Sequence, residues 1–114
     1  MSQQHIIKNI ELSKALELSE LVDYKVGQVV SRTLAQNKAV SITLFAFDKG
    51  EEISSHSSGG DAMVYIIDGE SEIMIGENKH LVKSGETIVM PAGIPHALLA
   101  KERFKMLLIV VFSL

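Results

Sequence analysis

The chain contains no cysteine among its 114 residues. Disulfide bridges and thiolate metal sites are therefore excluded. Small secreted domains often depend on disulfides because their hydrophobic cores are small. Residues 1–8 also lack the basic start and the apolar run of a secretory signal. Both absences favour a reducing compartment, and we expect a cytoplasmic protein.

An excess of positive charge is also missing. The chain has eleven Lys and Arg residues and fourteen Asp and Glu residues, and its formal net charge is −3. Proteins that bind nucleic acids usually gather a basic excess on one face, where it neutralises phosphates. Here the basic residues are scattered among the acidic ones. We therefore predict no nucleic-acid partner.

Long hydrophobic runs are absent as well. The longest, Met106–Phe112, has seven residues, whereas a membrane-spanning helix needs about twenty. We therefore predict no association with a membrane. A short apolar run of this kind is typical of a strand that is buried on both faces, and we interpret 106–112 in this way.

Proline is scarce: only Pro91 and Pro95 occur, four positions apart. The rest of the chain consists of short β-rich segments separated by glycine-containing turns, a pattern typical of an all-β sandwich or barrel. The hydrophobic share of 46% is sufficient for the core of one domain. Because closure of a sheet removes its exposed edges, we favour a barrel or jelly roll.

The domain is predicted to have two parts. Residues 1–26 form an N-terminal arm, with a short strand and a helical turn between Ala15 and Tyr24, and residues 27–114 form the barrel. The Asp68-Gly69 pair is interpreted as a turn between two strands. The predicted strands of the barrel are 28–35, 39–47, 63–67, 71–75, 80–83, 87–90, 96–100 and 105–112.

Two stretches resemble the signature motifs of the cupin superfamily. The second, GETIVMPAGIPH, runs from Gly85 to His96 and matches the family pattern up to its histidine. The first, GEEISSHSSGGDAMVYIIDG, runs from Gly50 to Gly69 and matches in outline, with His56 at the first histidine position. The family places an Asn four residues after the second-motif histidine, where this chain has Ala100.

The resemblance, which is to small single-domain bacterial cupins, implies a cupin double-stranded β-helix, that is, a jelly-roll barrel. It also implies a metal centre for iron, manganese, nickel or zinc, held by three histidines and one glutamate. Here Ser58 stands at the second histidine position and Ala62 at the glutamate position. A hydroxyl is a poor ligand for these ions and a methyl group is none. We therefore predict an incomplete site with His56 and His96 as its two remaining ligands.

A pocket is predicted from the alternation of side chains along strands. This alternation places His56, Ser58 and Ala62 on the inner face. It also places Leu98 and Ala100 on the same side as His96, which points into the mouth of the barrel. Apolar walls with a few convergent polar groups are typical of small-molecule sites. The sequence therefore predicts a barrel that binds a small organic ligand.

Two alternatives stay open at this point. A metal-dependent enzyme, a dioxygenase or an isomerase, would use His56 and His96 together with water or a non-standard ligand. A metal-independent isomerase would use one of these histidines as a general base, with Tyr65 as the acid, although we expect Tyr65 to face away from His56. Whether there is catalysis is left undecided.

A homodimer is also predicted, and it is compatible with each of these functions. The apolar segments Ala39–Phe47 and Met106–Phe112 favour association by sheet extension or by packing of faces. Twofold dimers are the commonest oligomers. A subunit whose task is association alone is the third alternative.

Overall fold

The computed structural model describes residues 5–114 and consists mainly of β-strands. The strands are β1 Val29–Gln36, β2 Val40–Phe47, β3 Glu52–His56, β4 Gly60–Ile75, β5 Asn78–Lys83, β6 Thr87–Met90, β7 His96–Leu99 and β8 Phe104–Phe112. In this part of the chain the single helical element is a 3-10 turn at Leu18–Glu20. The all-β prediction is confirmed. No helix within 5–114 has the length and apolarity to cross a bilayer.

Strand β4 joins the two halves of the barrel. Its residues 60–69 pair with β8 and, over 62–65, with β6, while residues 70–75 pair with β5 and 72–75 also with β7. All pairs are antiparallel, and the central strand order is β1-β2-β8-β4-β7-β3. The sheet therefore curls over one core as a jelly roll.

The strand order also bears on the predicted homodimer, for which sheet extension was one route. Strand β2 lies between β1 and β8, and β8 lies between β2 and β4. Neither strand has a free edge, because both of its sides are already hydrogen-bonded to neighbours. Sheet extension through these two strands would have to displace a neighbour. The homodimer stays a prediction, for which packing of faces is the simpler route.

The prediction of separate strands at 63–67 and 71–75 is wrong. Both belong to β4, which continues through Asp68 and Gly69 with a register shift between Ile66 and Asp68. Such a bulge bends a strand without ending its pairing. The Asp-Gly pair therefore marks the bend at which β4 passes from one sheet to the other.

Two further differences concern the first half of the chain. The short strand predicted between Ala15 and Tyr24 does not form, and only the turn at Leu18–Glu20 is regular. Strand β3, in contrast, was not predicted, because Ile53 is its one apolar residue. A strand at the rim of a barrel needs few buried side chains, so its sequence carries little hydrophobic signal.

The N-terminal arm packs on the outside of β1 and β2. Val22 joins Leu34 and Leu44 in a small apolar cluster on this face. The Lys8 N–H donates a 2.7 Å hydrogen bond to the carbonyl of Leu34, and the Lys105 Nζ donates to the carbonyl of Ser19 at 2.6 Å. The arm is therefore held by side-chain packing and isolated hydrogen bonds, which explains why it needs no strand.

The main core fills the inside of the barrel and continues into the lining of the cavity described below, since Ala62, Met90, Leu98 and Met106 belong to both. Phe47 and Phe104 are fully buried there and stack with ring centroids 4.4 Å apart. Asp48 follows directly and accepts hydrogen bonds from the Gly27 N–H at 2.7 Å and from the Arg103 Nε at 2.8 Å. These bonds lower the pKa of the Asp48 carboxyl, and they tie the start of β1 to the start of β8.

Candidate functional site

A cavity of about 280 Å³ opens between the two sheets. Its polar lining is His56, Ser57, Ser58 and His96. Its apolar lining is Ile53, Ala62, Met90, Leu98, Met106, Leu108 and Val110. Met90 and Met106 are almost fully buried, whereas His56 is exposed. The cavity therefore has an apolar floor and a polar, more open side.

The strand registers explain why these side chains meet. Ala62 of β4 lies opposite Met90 of β6 on one side and Val110 of β8 on the other. Residues directly opposite one another in an antiparallel pair project to the same face. Alternation then places Leu108 and Met106 on the same inner face as Val110. Three strands thus supply one continuous apolar wall.

The two predicted histidines are brought together. His56 of β3 lies opposite His96 of β7 in the strand register. The centroids of the two rings are 4.4 Å apart, and the rings are inclined at 70° to each other. His96 is only 3% exposed, so one imidazole is buried and the other is open to solvent.

Hydrogen bonds define the orientation of each ring. The Nδ1 of His56 lies 3.1 Å from the carbonyl oxygen of Ser54, and the Nδ1 of His96 lies 3.3 Å from that of Ile94. A carbonyl oxygen can only accept, so each Nδ1 is the donor. In the neutral imidazole the other nitrogen, Nε2, then carries a lone pair.

The pKa of His96 is lowered from its ordinary value. Burial is the largest cause, the nearby charge of protonated His56 is the second, and the hydrogen bond to the Ile94 carbonyl opposes both. Burial disfavours the charged form of an imidazole because the charge loses its hydration. His96 is therefore neutral at neutral pH.

This lowered pKa predicts a loss of stability in acid. In the unfolded chain His96 titrates near 6.5, and in the folded chain its pKa is lower. Above both values the ring is neutral in both states. As the pH falls below about 6.5, the unfolded chain binds a proton more readily, so the free energy of unfolding decreases until the folded pKa is passed.

Urea unfolding between pH 7.5 and pH 5 measures this effect. We expect the His96→Gln variant, which cannot titrate, to lose less stability over this range than the native protein. Equal slopes for the two proteins would contradict the assignment of the acid sensitivity to His96.

The loop between β3 and β4 is fastened to the proline turn. The Gly93 N–H donates to the carbonyl of Ser58 at 2.9 Å, and the Ser58 hydroxyl accepts from the Gly60 N–H at 3.1 Å. Asp61 accepts from the Ala92 N–H at 2.8 Å. Asp61 is therefore held against this turn, where it is exposed, and it does not line the cavity.

Five of the six predicted pocket residues line the cavity, and they are His56, Ser58, Ala62, His96 and Leu98. Ala100 does not. It is fully buried in the core, where its N–H donates to the Glu51 carbonyl at 2.9 Å. Alternation does place it on the buried side with His96 and Leu98, but there it packs in the core cluster of Phe47 and Phe104 and does not line the cavity.

The pocket predicted from the sequence did not include the residues of the cavity floor. Met106, Leu108 and Val110 come from β8, which is apolar on both faces, so its pattern does not show which residues face inward. Met90 precedes the first proline of the second motif and could have been found from that position. Ile53 is the one apolar residue of β3 and was the available signal there.

The four-ligand metal centre implied by the cupin resemblance does not fit these residues. Ser58 and Ala62, at the two other ligand positions, line the cavity, but they offer a hydroxyl and a methyl group. Within 5–114 no three or more His, Cys, Asp or Glu side chains are grouped so that they could hold a metal ion. The donor set is therefore two imidazoles without a carboxylate, which is poor for iron, manganese, nickel or zinc.

Similar structures extend over the whole chain. A conserved protein of unknown function from Streptococcus pyogenes is 50% identical, with a TM-score of 0.96 and coverage of 99% of both chains. A cupin superfamily protein from Desulfitobacterium hafniense is 34% identical, with a TM-score of 0.89 over 94% of this chain and 98% of that one.

A cupin 2 conserved barrel domain protein from Leptotrichia buccalis is 41% identical, with a TM-score of 0.82. The match covers 84% of this chain and 47% of that protein. A search of curated proteins finds no match. The sequence model of the cupin domain family matches residues 43–112, which hold both motifs and six complete strands. The chain therefore belongs to the cupin domain family.

Proposed function

We propose that this cupin barrel binds a small organic molecule in the cavity beside His56 and His96. The proposal is supported by the lining of the cavity, which combines an apolar floor with the polar groups of His56, Ser58 and His96. This is the usual composition of a small-molecule site. Its volume of about 280 Å³ is roughly twice that of an engineered cavity of ~150 Å³ that takes up benzene. A substituted single ring is therefore of suitable size.

Filling the cavity tests this proposal. The Ala62→Leu variant places three additional carbon atoms against Met90 and Val110, so we expect it to weaken the binding of a single-ring probe such as 1-phenylethanol by roughly tenfold or more. Binding is measured by titration of the methyl NMR signals of Leu98, Leu108 and Val110.

The matched control is Met63→Leu, the next residue along β4, whose side chain points outward and is 42% exposed. It should bind the probe as the native protein does. Equal affinity in the Ala62→Leu variant, or probe-induced shifts confined to residues away from the cavity, would contradict the proposed site.

The enzyme alternatives have less support. A metal-dependent dioxygenase or isomerase needs more protein ligands than the two imidazoles provide. A metal-independent isomerase needs an acid partner for its base, and the candidate, Tyr65, lies on the outer face of β4 with 40% of its surface exposed. We therefore favour binding over catalysis as the function of the cavity.

The predicted homodimer is proposed to form through an exposed apolar strip on the outside of the barrel. On the outside of the barrel, Met63 lies opposite Ile109 and Val89, and Val111 continues the same apolar strip. Val111 is 56%, Val89 46% and Met63 42% exposed, so the arm leaves this strip uncovered. Asp61, opposite Val111 in the register, is charged and borders this strip. The apolar part of the face is complementary to its own copy about a twofold axis, and we propose that a second copy covers it.

Light scattering after gel filtration tests the dimer. We expect the native protein to elute at twice the mass of one chain and the double variant Met63→Lys/Val111→Lys at the mass of one chain, because lysines facing each other would repel and lose hydration. Leu81→Lys, an exposed apolar position on β5, is the control and should stay dimeric. A native protein of single-chain mass would exclude the dimer.

A further inference from the structure

We propose that the cavity selects a neutral ligand that donates a hydrogen bond, such as a compound with one hydroxyl group beside a single ring, and discriminates against anions. This inference rests on the proposed small-molecule function and narrows it to a chemical class. It follows from the hydrogen bonds that the polar side chains already make within the protein.

Both histidines present acceptors to a ligand. Each Nδ1 donates to a backbone carbonyl, of Ser54 for His56 and of Ile94 for His96. The nitrogen left for a ligand in each neutral ring is therefore Nε2 with its lone pair. A ligand that can only accept leaves these lone pairs without a partner. For the buried His96 an unpaired polar group is costly.

Ser58 supplies the complementary group. Its hydroxyl oxygen accepts from the Gly60 N–H, so its own hydrogen is available to donate. The two histidines and Ser58 thus offer two acceptors and one donor. A hydroxyl group, which donates one hydrogen bond and accepts others, satisfies this arrangement better than a carbonyl does.

An anion finds no opposite charge there. None of the residues that line the cavity within 5–114 is a lysine or an arginine. A carboxylate that enters would lose its hydration without an opposite charge and would face imidazole lone pairs. The floor formed by Met90 and Met106 accommodates only the apolar part of a ligand.

Three probes of equal size separate these cases. 1-Phenylethanol donates and accepts, acetophenone only accepts, and benzoate is an anion; all three have the same number of non-hydrogen atoms. Their dissociation constants are measured by NMR titration at pH 8, where imidazoles are neutral at their ordinary pKa. We expect 1-phenylethanol to bind roughly tenfold tighter than the other two.

Variants assign the preference to the histidine pair. His56→Leu should reduce the preference for 1-phenylethanol over acetophenone to less than about threefold, since half of the acceptor pair is removed. His56 is exposed, so the exchange is compatible with folding. His80→Leu is the control, because His80 is exposed on β5 and does not line the cavity.

The outcomes are distinguishable. Acetophenone or benzoate binding as tightly as 1-phenylethanol would overturn the donor selectivity while the cavity stays a ligand site. A preference that persists in His56→Leu would also overturn it. Failure of all three probes to bind would remove the small-molecule function itself, and the selectivity with it.

Discussion

Replacing Gly69 with alanine is expected to lower the free energy of unfolding by about 4 kcal/mol, from the cost of a positive φ and of steric overlap together. Gly69 has a φ of +72° and lies at the bend of β4. A Cβ at this position would lie 2.3 Å from the carbonyl oxygen of Arg103 and 3.2 Å from the Cα of Phe104. Both are backbone atoms of the segment that enters β8, so they cannot move aside as a flexible side chain does.

Gly50→Ala separates the two costs. Gly50 has a φ of +88°, but a Cβ there meets no atom within 4 Å. We therefore expect a loss of only about 1 kcal/mol, the conformational cost alone. Urea unfolding followed by circular dichroism measures both variants. If Gly69→Ala were no less stable than Gly50→Ala, the close approach of β4 and β8 at this bend would be contradicted.

Completing the donor set is expected to create a metal site. The double variant Ser58→His/Ala62→Glu places an imidazole and a carboxylate at two positions that line the cavity beside His56 and His96. Four protein ligands hold structural zinc with ~10 kcal/mol or more, so two added ligands should raise Zn²⁺ affinity by roughly a hundredfold or more, even after the cost of burying a carboxylate. Titration calorimetry with Zn²⁺ measures the gain.

The control moves the carboxylate by one residue. In Ser58→His/Met63→Glu the same two side-chain types are added, but the glutamate lies on the outer face of β4, because alternate residues of a strand face opposite ways. This variant adds only the imidazole inside the cavity, so its gain in Zn²⁺ affinity should be clearly smaller than that of Ser58→His/Ala62→Glu.

Elemental analysis of native protein, purified without an affinity tag, is the complementary measurement. Stoichiometric iron, manganese, nickel or zinc that is lost in both His56→Ala and His96→Ala would contradict the conclusion that the native donor set is incomplete.

The second motif shows how far local sequence reaches. The strand predicted at 87–90 coincides with β6, and β7 begins at His96 as predicted. Glycines and prolines mark such boundaries because their backbone preferences act within a few residues. His56 was also predicted to lie in the pocket, from its spacing after Gly50 in the first motif. These signals are local, and they were sufficient to indicate an all-β cupin barrel.

Long-range strand pairing accounts for most of the differences between the predicted strands and those of the structure. Asp68-Gly69 has the composition of a turn, yet β8 and β5 pair with β4 on the two sides of it, so the strand bends there and continues. The predicted arm strand found no pairing partner, while the polar β3 found one in β7. When the local sequence signal is weak, the available pairing partner decides whether a segment forms a strand.

By itself, the sequence determined the fold class, the two histidines and the loss of the other two metal ligands, because each depends on residue identity and short-range spacing. The tertiary structure alone decided how the cavity is built. It showed that His56 and His96 are in contact, that β8 supplies the floor, and that Ala100 lies in the core. The reason is that these features depend on strand register across the barrel. The local sequence around a residue does not show which distant residue will lie opposite it.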